Sequence, residues 1–145
     1  MFDIRVSRPS VTIKDGVKQA EAELRLGNDR FVFAIDLRHW PISEYQRQWR
    51  EGIWRILEGA QTSALMTAYA GPTGHMHHMW ALWREGNGLY IQQHAVISRE
   101  LDHPFVPHNP SAYIGTRIEA SKHGLPIPEW RIELSDIFAA AKKIA

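Results

Sequence analysis

The sequence contains no cysteine. That excludes a disulfide framework, thiolate nucleophiles and cysteine-ligated zinc, and it suits a chain working in a reducing cytoplasm. No apolar stretch is long enough to span a bilayer. The start, Met1-Phe2-Asp3-Ile4-Arg5, lacks the basic segment and apolar run of a secretory signal. Neither sign of charge dominates: 17 Lys and Arg against 16 Asp and Glu leave +1. No bulk field therefore favours nucleic acid or an anionic membrane, and the chain is no acidic mimic of nucleic acid. Catalytic signatures are missing too. There is no Gly-x-Ser-x-Gly elbow and no glycine-rich phosphate loop. Glu21 and Glu23 share a strand face but read as solvated alternation. No enzyme activity and no cofactor are expected.

What is there is patterned for a folded domain. Apolar residues make up 44% and charged residues 23% of 145 residues, enough for a core in one domain spanning 1–145. Phe2, Ile4 and Val6 alternate with polar residues up to Pro9, and Val11 and Ile13 continue the pattern. Asp15-Gly16 is a type I′ turn signal. Ala22, Leu24 and Leu26, the turn Gly27-Asn28-Asp29, and Phe31, Phe33, Ile35 and Leu37 complete a predicted antiparallel meander. Ser43 with Gln46 reads as a capping box. Tyr45, Trp49, Ile53, Ile56 and Leu57 form the apolar stripe of a helix over 43–58 that stops at Gly59. Gly52 inside that helix costs about 1 kcal/mol relative to alanine, which points to a close approach to the sheet.

Ala64–Ala70, His75–Arg84 and Leu89–Ile97 read as strands, the last two joined by the turn Glu85-Gly86-Asn87-Gly88. Pro104, Pro107 and Pro110 make 100–112 irregular. Tyr113–Glu119 reads as a short strand and Trp130, Ile132 and Leu134 as the last one. Ser135 then caps a short helix with Ile137, Phe138, Ala141 and Ile144 inward. The expected fold is α+β: an antiparallel sheet of six to eight strands packed against one main helix, with a short C-terminal helix at the rim.

Two groups of residues invite functional readings. His75, His77 and His78 cluster near the start of one strand, and His94 lies on its hairpin partner. A His-x-His pair with a third histidine could hold zinc, giving a histidine-dependent metal protein or hydrolase as the alternative function. The hairpin register, however, places His94 nearer Met79 or Ala81 than His77, and no nearby carboxylate supplies the usual outer support. Partly exposed surface histidines, without a metal, are the simpler expectation. The six tryptophans are the second group. Trp49 and Trp130 fall on core stripes. Trp80 and Trp83 point to opposite faces of one strand, so either both faces are covered or one indole is exposed for a partner or a base.

The ordered set Ser43-x-Tyr45-x-x-Gln48-Trp49-x-x-Gly52, Ser63-Ala64-Leu65-Met66-Thr67, Trp80-x-Leu82-Trp83-Arg84-Glu85-Gly86, Tyr90-Ile91-Gln92, Pro104-Phe105, Arg117 and Gly124-x-x-Ile127-Pro128-Glu129-Trp130 resembles a family of contact-dependent growth inhibition immunity proteins. The resemblance covers most of the chain and rests on structural residues, not on a catalytic motif. It implies a non-enzymatic inhibitor that binds a toxin domain, often a nuclease, in the cell that makes both. No nucleic acid or membrane is an expected direct partner. The expected toxin-binding surface is the 75–97 hairpin with the adjoining 102–112 segment. It comprises His77, His78, Trp80, Trp83, Arg84, Gln92, Gln93, His94 and His108: aromatic anchors with a polar rim.

Overall fold

The computed structural model describes residues 1–144, and the side chain of Ile144, expected to face inward, lies outside what it describes. Strands β1 (Phe2–Lys14), β2 (Val17–Leu26) and β3 (Asp29–Asp36) form one antiparallel sheet in the order β1-β2-β3. Helix α1 (Ile42–Leu57) follows. Strands β4 (Thr62–Ala68), β5 (Met76–Glu85), β6 (Gly88–Ile97) and β7 (Trp130–Glu133) form a second antiparallel sheet in that order, and α2 (Leu134–Ile144) ends the description. The fold is α+β, with the strands divided three and four between two sheets where the sequence suggested one. No helix among the described residues is long and apolar enough to cross a membrane.

Local chemistry explains most boundaries. Asp15 (φ 53°) and Gly16 (φ 77°) both adopt the left-handed conformation a type I′ turn needs. Pro9 does not end β1. The strand runs past it with register breaks between Val6 and Arg8 and between Arg8 and Thr12, because an edge strand tolerates proline where no ladder donor is needed. The capping box at Ser43 does not form. Ile42 is already helical, the cap is Pro41 (φ −72°, ψ 167°), and no side chain bonds there. The first-turn amide of Glu44 donates to the Pro41 carbonyl instead (3.1 Å). Phe138 is exposed on α2 where the sequence suggested burial, while Ile137 and Ala141 are buried.

The two sheets meet through aromatic side chains. Phe31 contacts Trp80 and Trp130 (ring centroids 5.7 and 4.7 Å), and Phe33 contacts Trp49 and Trp80 (6.4 Å each). The other face of the β4–β7 sheet carries Trp83, Gln92 and His94 and is covered by the chain from 101 to 129. That stretch includes Tyr113–Glu119, which forms no strand: a 3-10 turn over Pro110–Tyr113 leads into irregular backbone. It lies across the face and not beside an edge.

Candidate functional site

The motif on α1 has a structural task. Strand β4 is an edge of its sheet, and α1 covers that edge with side chains instead of a further strand. Gln48 Nε2 donates to the Ala64 carbonyl (2.8 Å) while its Oε1 accepts from the Met66 amide (2.7 Å). The Trp49 indole donates to the Met66 carbonyl (2.7 Å). The Tyr45 hydroxyl accepts from the Tyr69 amide (3.0 Å) and donates to the Asp36 carbonyl (2.6 Å). Burial pushes the Tyr45 hydroxyl pKa up, so it keeps its proton. Such proximity requires Gly52, where an added Cβ would lie 2.7 Å from the Ala64 carbonyl oxygen. Ser63 Oγ closes the contact by donating to the Gly52 carbonyl (2.7 Å).

The nine expected contact residues separate. Trp80 and Trp83 are both buried (2% and 7% exposed) because both faces of β5 are covered. Trp80 packs under the first sheet, and the Trp83 indole donates to the Gly115 carbonyl (2.9 Å). Neither indole has an exposed face on which a base could stack, and Trp80 reaches the surface only at the bottom of a cleft. Gln92 is buried as well, with Nε2 donating to the Ile118 carbonyl and to Glu129 (2.8 and 2.7 Å). Arg84 is half-buried, and its guanidinium donates to the Ile56 carbonyl (3.3 Å) at the C-terminal end of α1, where a cation suits the helix dipole. His94 Nε2 lies 3.2 Å from the Tyr113 carbonyl oxygen, so its ring serves the covered face. His78, Gln93 and His108 remain exposed.

His77, expected at the surface, is 1% exposed and stacked on Phe105 (4.1 Å between ring centroids) and Tyr69 (5.4 Å). Its Nδ1 accepts from the Ala70 amide (3.1 Å), so the proton resides on Nε2, 3.1 Å from Ser98 Oγ. Ser98 passes its own proton to the Gly74 carbonyl (2.5 Å). The bond from the Ala70 amide needs a neutral ring, because a protonated Nδ1 cannot accept. Burial, with a smaller contribution from His78, holds the His77 pKa below its usual 6.5. The unfolded chain therefore takes up this proton first as pH falls. Stability contributed by His77 is complete above about pH 6.5 and declines as pH drops towards the folded-state value. Urea melts from pH 8 to 5 should show this decline, and His77→Gln should flatten it. A decline of equal steepness in His77→Gln would refute the assignment.

The histidines do not converge on a metal. His77 is committed to the turn over 70–74, His94 to Tyr113, and among the described residues no three His, Asp or Glu side chains cluster closely enough to hold an ion.

Concave surface lies elsewhere. A cleft of about 430 Å³ opens between β3 (Phe33, Ala34) and the second sheet (Thr67, Ala68, His78, Trp80, Gln93, Ala95). Sheet alternation and the register Trp80↔Gln93 and His78↔Ala95 put the side chains of His78, Trp80, Gln93 and Ala95 on one face. Of the expected residues, His78 and Gln93 offer polar atoms there and Trp80 forms the floor, while the His94 backbone borders it. His108 belongs to a separate groove beside α1, with its ring 5.0 Å from that of Trp40. Sequence reasoning missed the β3 wall of the main cleft. Its only signal was the alternation of Val32 and Ala34 on the outer side of the meander.

The outer face of the first sheet is charged. Glu23, 1% exposed, is enclosed by Arg25 (2.5 Å), Arg30 (2.9 Å) and Arg5 (3.7 Å). Hydrogen bonds from Arg30 and then Arg25 hold its carboxyl down to about 2, and because its cover is guanidinium and not hydrocarbon, desolvation opposes them only in part.

A helix that caps a sheet edge and two facing antiparallel sheets define the framework, and most of the polar groups on the 76–97 hairpin are committed to bonds within it. Comparison with known proteins agrees on the framework. The family model for the CdiI N-terminal domain matches residues 35–140, and the chain belongs to that family. A solved structure described as a CdiA-CT/CdiI toxin and immunity complex from Enterobacter cloacae contains a chain of the same fold. It matches at TM-score 0.90 with 21% identity, over 99% of this chain and 98% of that one. No curated protein matches the sequence.

Proposed function

We propose that this protein is an immunity protein that neutralises the C-terminal toxin domain of a contact-dependent growth inhibition system by forming a tight heterodimer with it. The toxin is a nuclease, and the inhibitor acts without catalysis in the cytoplasm of the cell that makes both. Membership of the CdiI family carries this reading. The likeness to a chain from a toxin and immunity complex supports the fold it requires. The contact surface is the open part of the β5–β6 face, where His78 and Gln93 are exposed over a floor formed by Trp80. Arg84, Gln92, His77, His94 and Trp83 support that surface from within.

The test is to express the C-terminal toxin domain of any adhesin found encoded beside this chain, with and without this chain. Growth arrest and RNA or DNA cleavage by the domain alone, both abolished by this chain, are expected, with the two proteins eluting as a 1:1 complex. A toxin that stays active and elutes apart in the presence of this chain would sink the reading.

A further inference from the structure

A sheet edge offers unpaired N–H and C=O groups, and folded proteins normally disable such edges. This molecule has four. The β1 edge is broken by Pro9 and two register shifts. The β7 edge is four residues long and bears Arg131 and Glu133. The β4 edge is occupied by Tyr45, Gln48 and Trp49 from α1. The β3 edge is different.

The ladder fixes which β3 groups point outward. In an antiparallel pair, alternate residues bond across the pair and the rest point away. The Leu37 amide donates to Lys18 on β2 (2.8 Å), and the Asp36 carbonyl accepts from Tyr45 on the other side (2.6 Å). The even-numbered residues Arg30, Val32 and Ala34 therefore direct their amides and carbonyls away from β2. Among the described residues no strand pairs with that edge. Val32 is 49% exposed, and Phe33 and Ala34 at the end of this edge line one wall of the main cleft.

We propose that β3 is a strand-acceptor edge: an extended segment of the toxin domain pairs with Arg30, Val32 and Ala34 and lies in the cleft over His78 and Gln93. This rests on the immunity reading and names the recognition mode. Main-chain bonds supply the affinity and alternate side chains supply selectivity. Inward side chains of the added strand meet the amide of Gln93 and the imidazole of His78. Outward ones lie beside Arg30, where the guanidiniums of Arg5, Arg25 and Arg30 face two carboxylates, Glu23 and Asp3, and leave positive charge over. A carboxylate on the incoming strand complements that excess. A second copy of this chain would bring another such cluster onto the same continuous face, which is unfavourable.

Amide hydrogen exchange on the full chain, free and mixed with the toxin domain that it neutralises in the growth test above, tests this. Expected is rapid exchange at Arg30, Val32 and Ala34 in the free protein and slowing of about 100-fold or more in the complex. Val32→Pro removes one outward amide and should weaken binding by about 100-fold, while Val32→Thr, which keeps it, should bind nearly as wild type. Complex formation with the three amides still exchanging freely overturns this inference and leaves the immunity reading standing. No complex with wild-type protein overturns both. Concentration-dependent protection in the free protein assigns the edge to a second copy and overturns the proposal.

Discussion

Gln48→Leu is expected to lower the unfolding free energy by about 2–6 kcal/mol, because the Ala64 carbonyl and the Met66 amide then lose their partners inside the protein, at roughly 1–3 kcal/mol each. The substitution isolates this effect. Leucine is close to glutamine in size and in helix propensity, so neither a cavity nor a weakened helix confuses the measurement. Gln48 is buried and makes both bonds with one side-chain amide, and leucine can make neither. Gln48→Glu should be as harmful near neutral pH, since a carboxylate can accept from Met66 but cannot donate to Ala64. Its protonated form can do both, so its folded-state pKa is raised. Stability should therefore recover as pH falls through that raised value and be fully recovered near the ordinary glutamate value, opposite in sign to the His77 effect. Denaturant melts of both variants check this. A loss under about 1 kcal/mol in Gln48→Leu would mean that β4 finds other partners for its edge.

Arg117→Ala should cost about 2–4 kcal/mol and loosen the segment that covers Trp83 and Gln92. Arg117 lies in the irregular stretch with its side chain 13% exposed, and it grips Glu129 through Nε (2.7 Å) and Nη2 (2.6 Å). Its guanidinium also stacks 3.7 Å over the Tyr90 ring. Glu129 in turn accepts from Gln92 (2.7 Å). The hydrogen bonds from Arg117 hold the Glu129 carboxyl below its usual range and raise the guanidinium pKa. Removing the arginine strands a mostly covered carboxylate and frees one face of the sheet. The rim contacts to Glu85 and Glu119 are exposed and add little. Arg117→Lys should recover only part of the loss, because an ammonium cannot form the two-pronged bond or stack flat on Tyr90. Melts together with tryptophan fluorescence follow both effects. Unchanged stability in Arg117→Ala would show that the cover is held by apolar contacts alone.

Local periodicity determined a great deal here. Alternating residues mark β1 to β3 and β7. The left-handed turn at Asp15-Gly16, the stripe of α1, and the close approach at Gly52 all follow from patterns within a few residues. These features rest on interactions near in sequence, so the sequence displays them directly. The helix start was misplaced by one residue because a capping box is a statistical signal, and Pro41 already supplied the boundary.

Tertiary structure alone decided which faces are covered. The segment that buries Trp83, Gln92 and His77 is aperiodic: its hydrogen bonds come from single carbonyls at Tyr113, Gly115 and Ile118 and its stacking from Phe105. No repeat announces such cover, so aromatic and polar residues on the hairpin read as surface when they are interior. The same holds for edges. Whether a strand's outward amides are satisfied depends on what lies across space, and Tyr45, Gln48 and Trp49 reach β4 and the residue after it over 16 to 24 residues of chain. Alternation in the sequence could mark β3 as a strand. Only the arrangement of both sheets around α1 left its edge at Arg30, Val32 and Ala34 open, because a hydrogen-bonding backbone carries the same groups in every sequence and only its surroundings decide whether they are used.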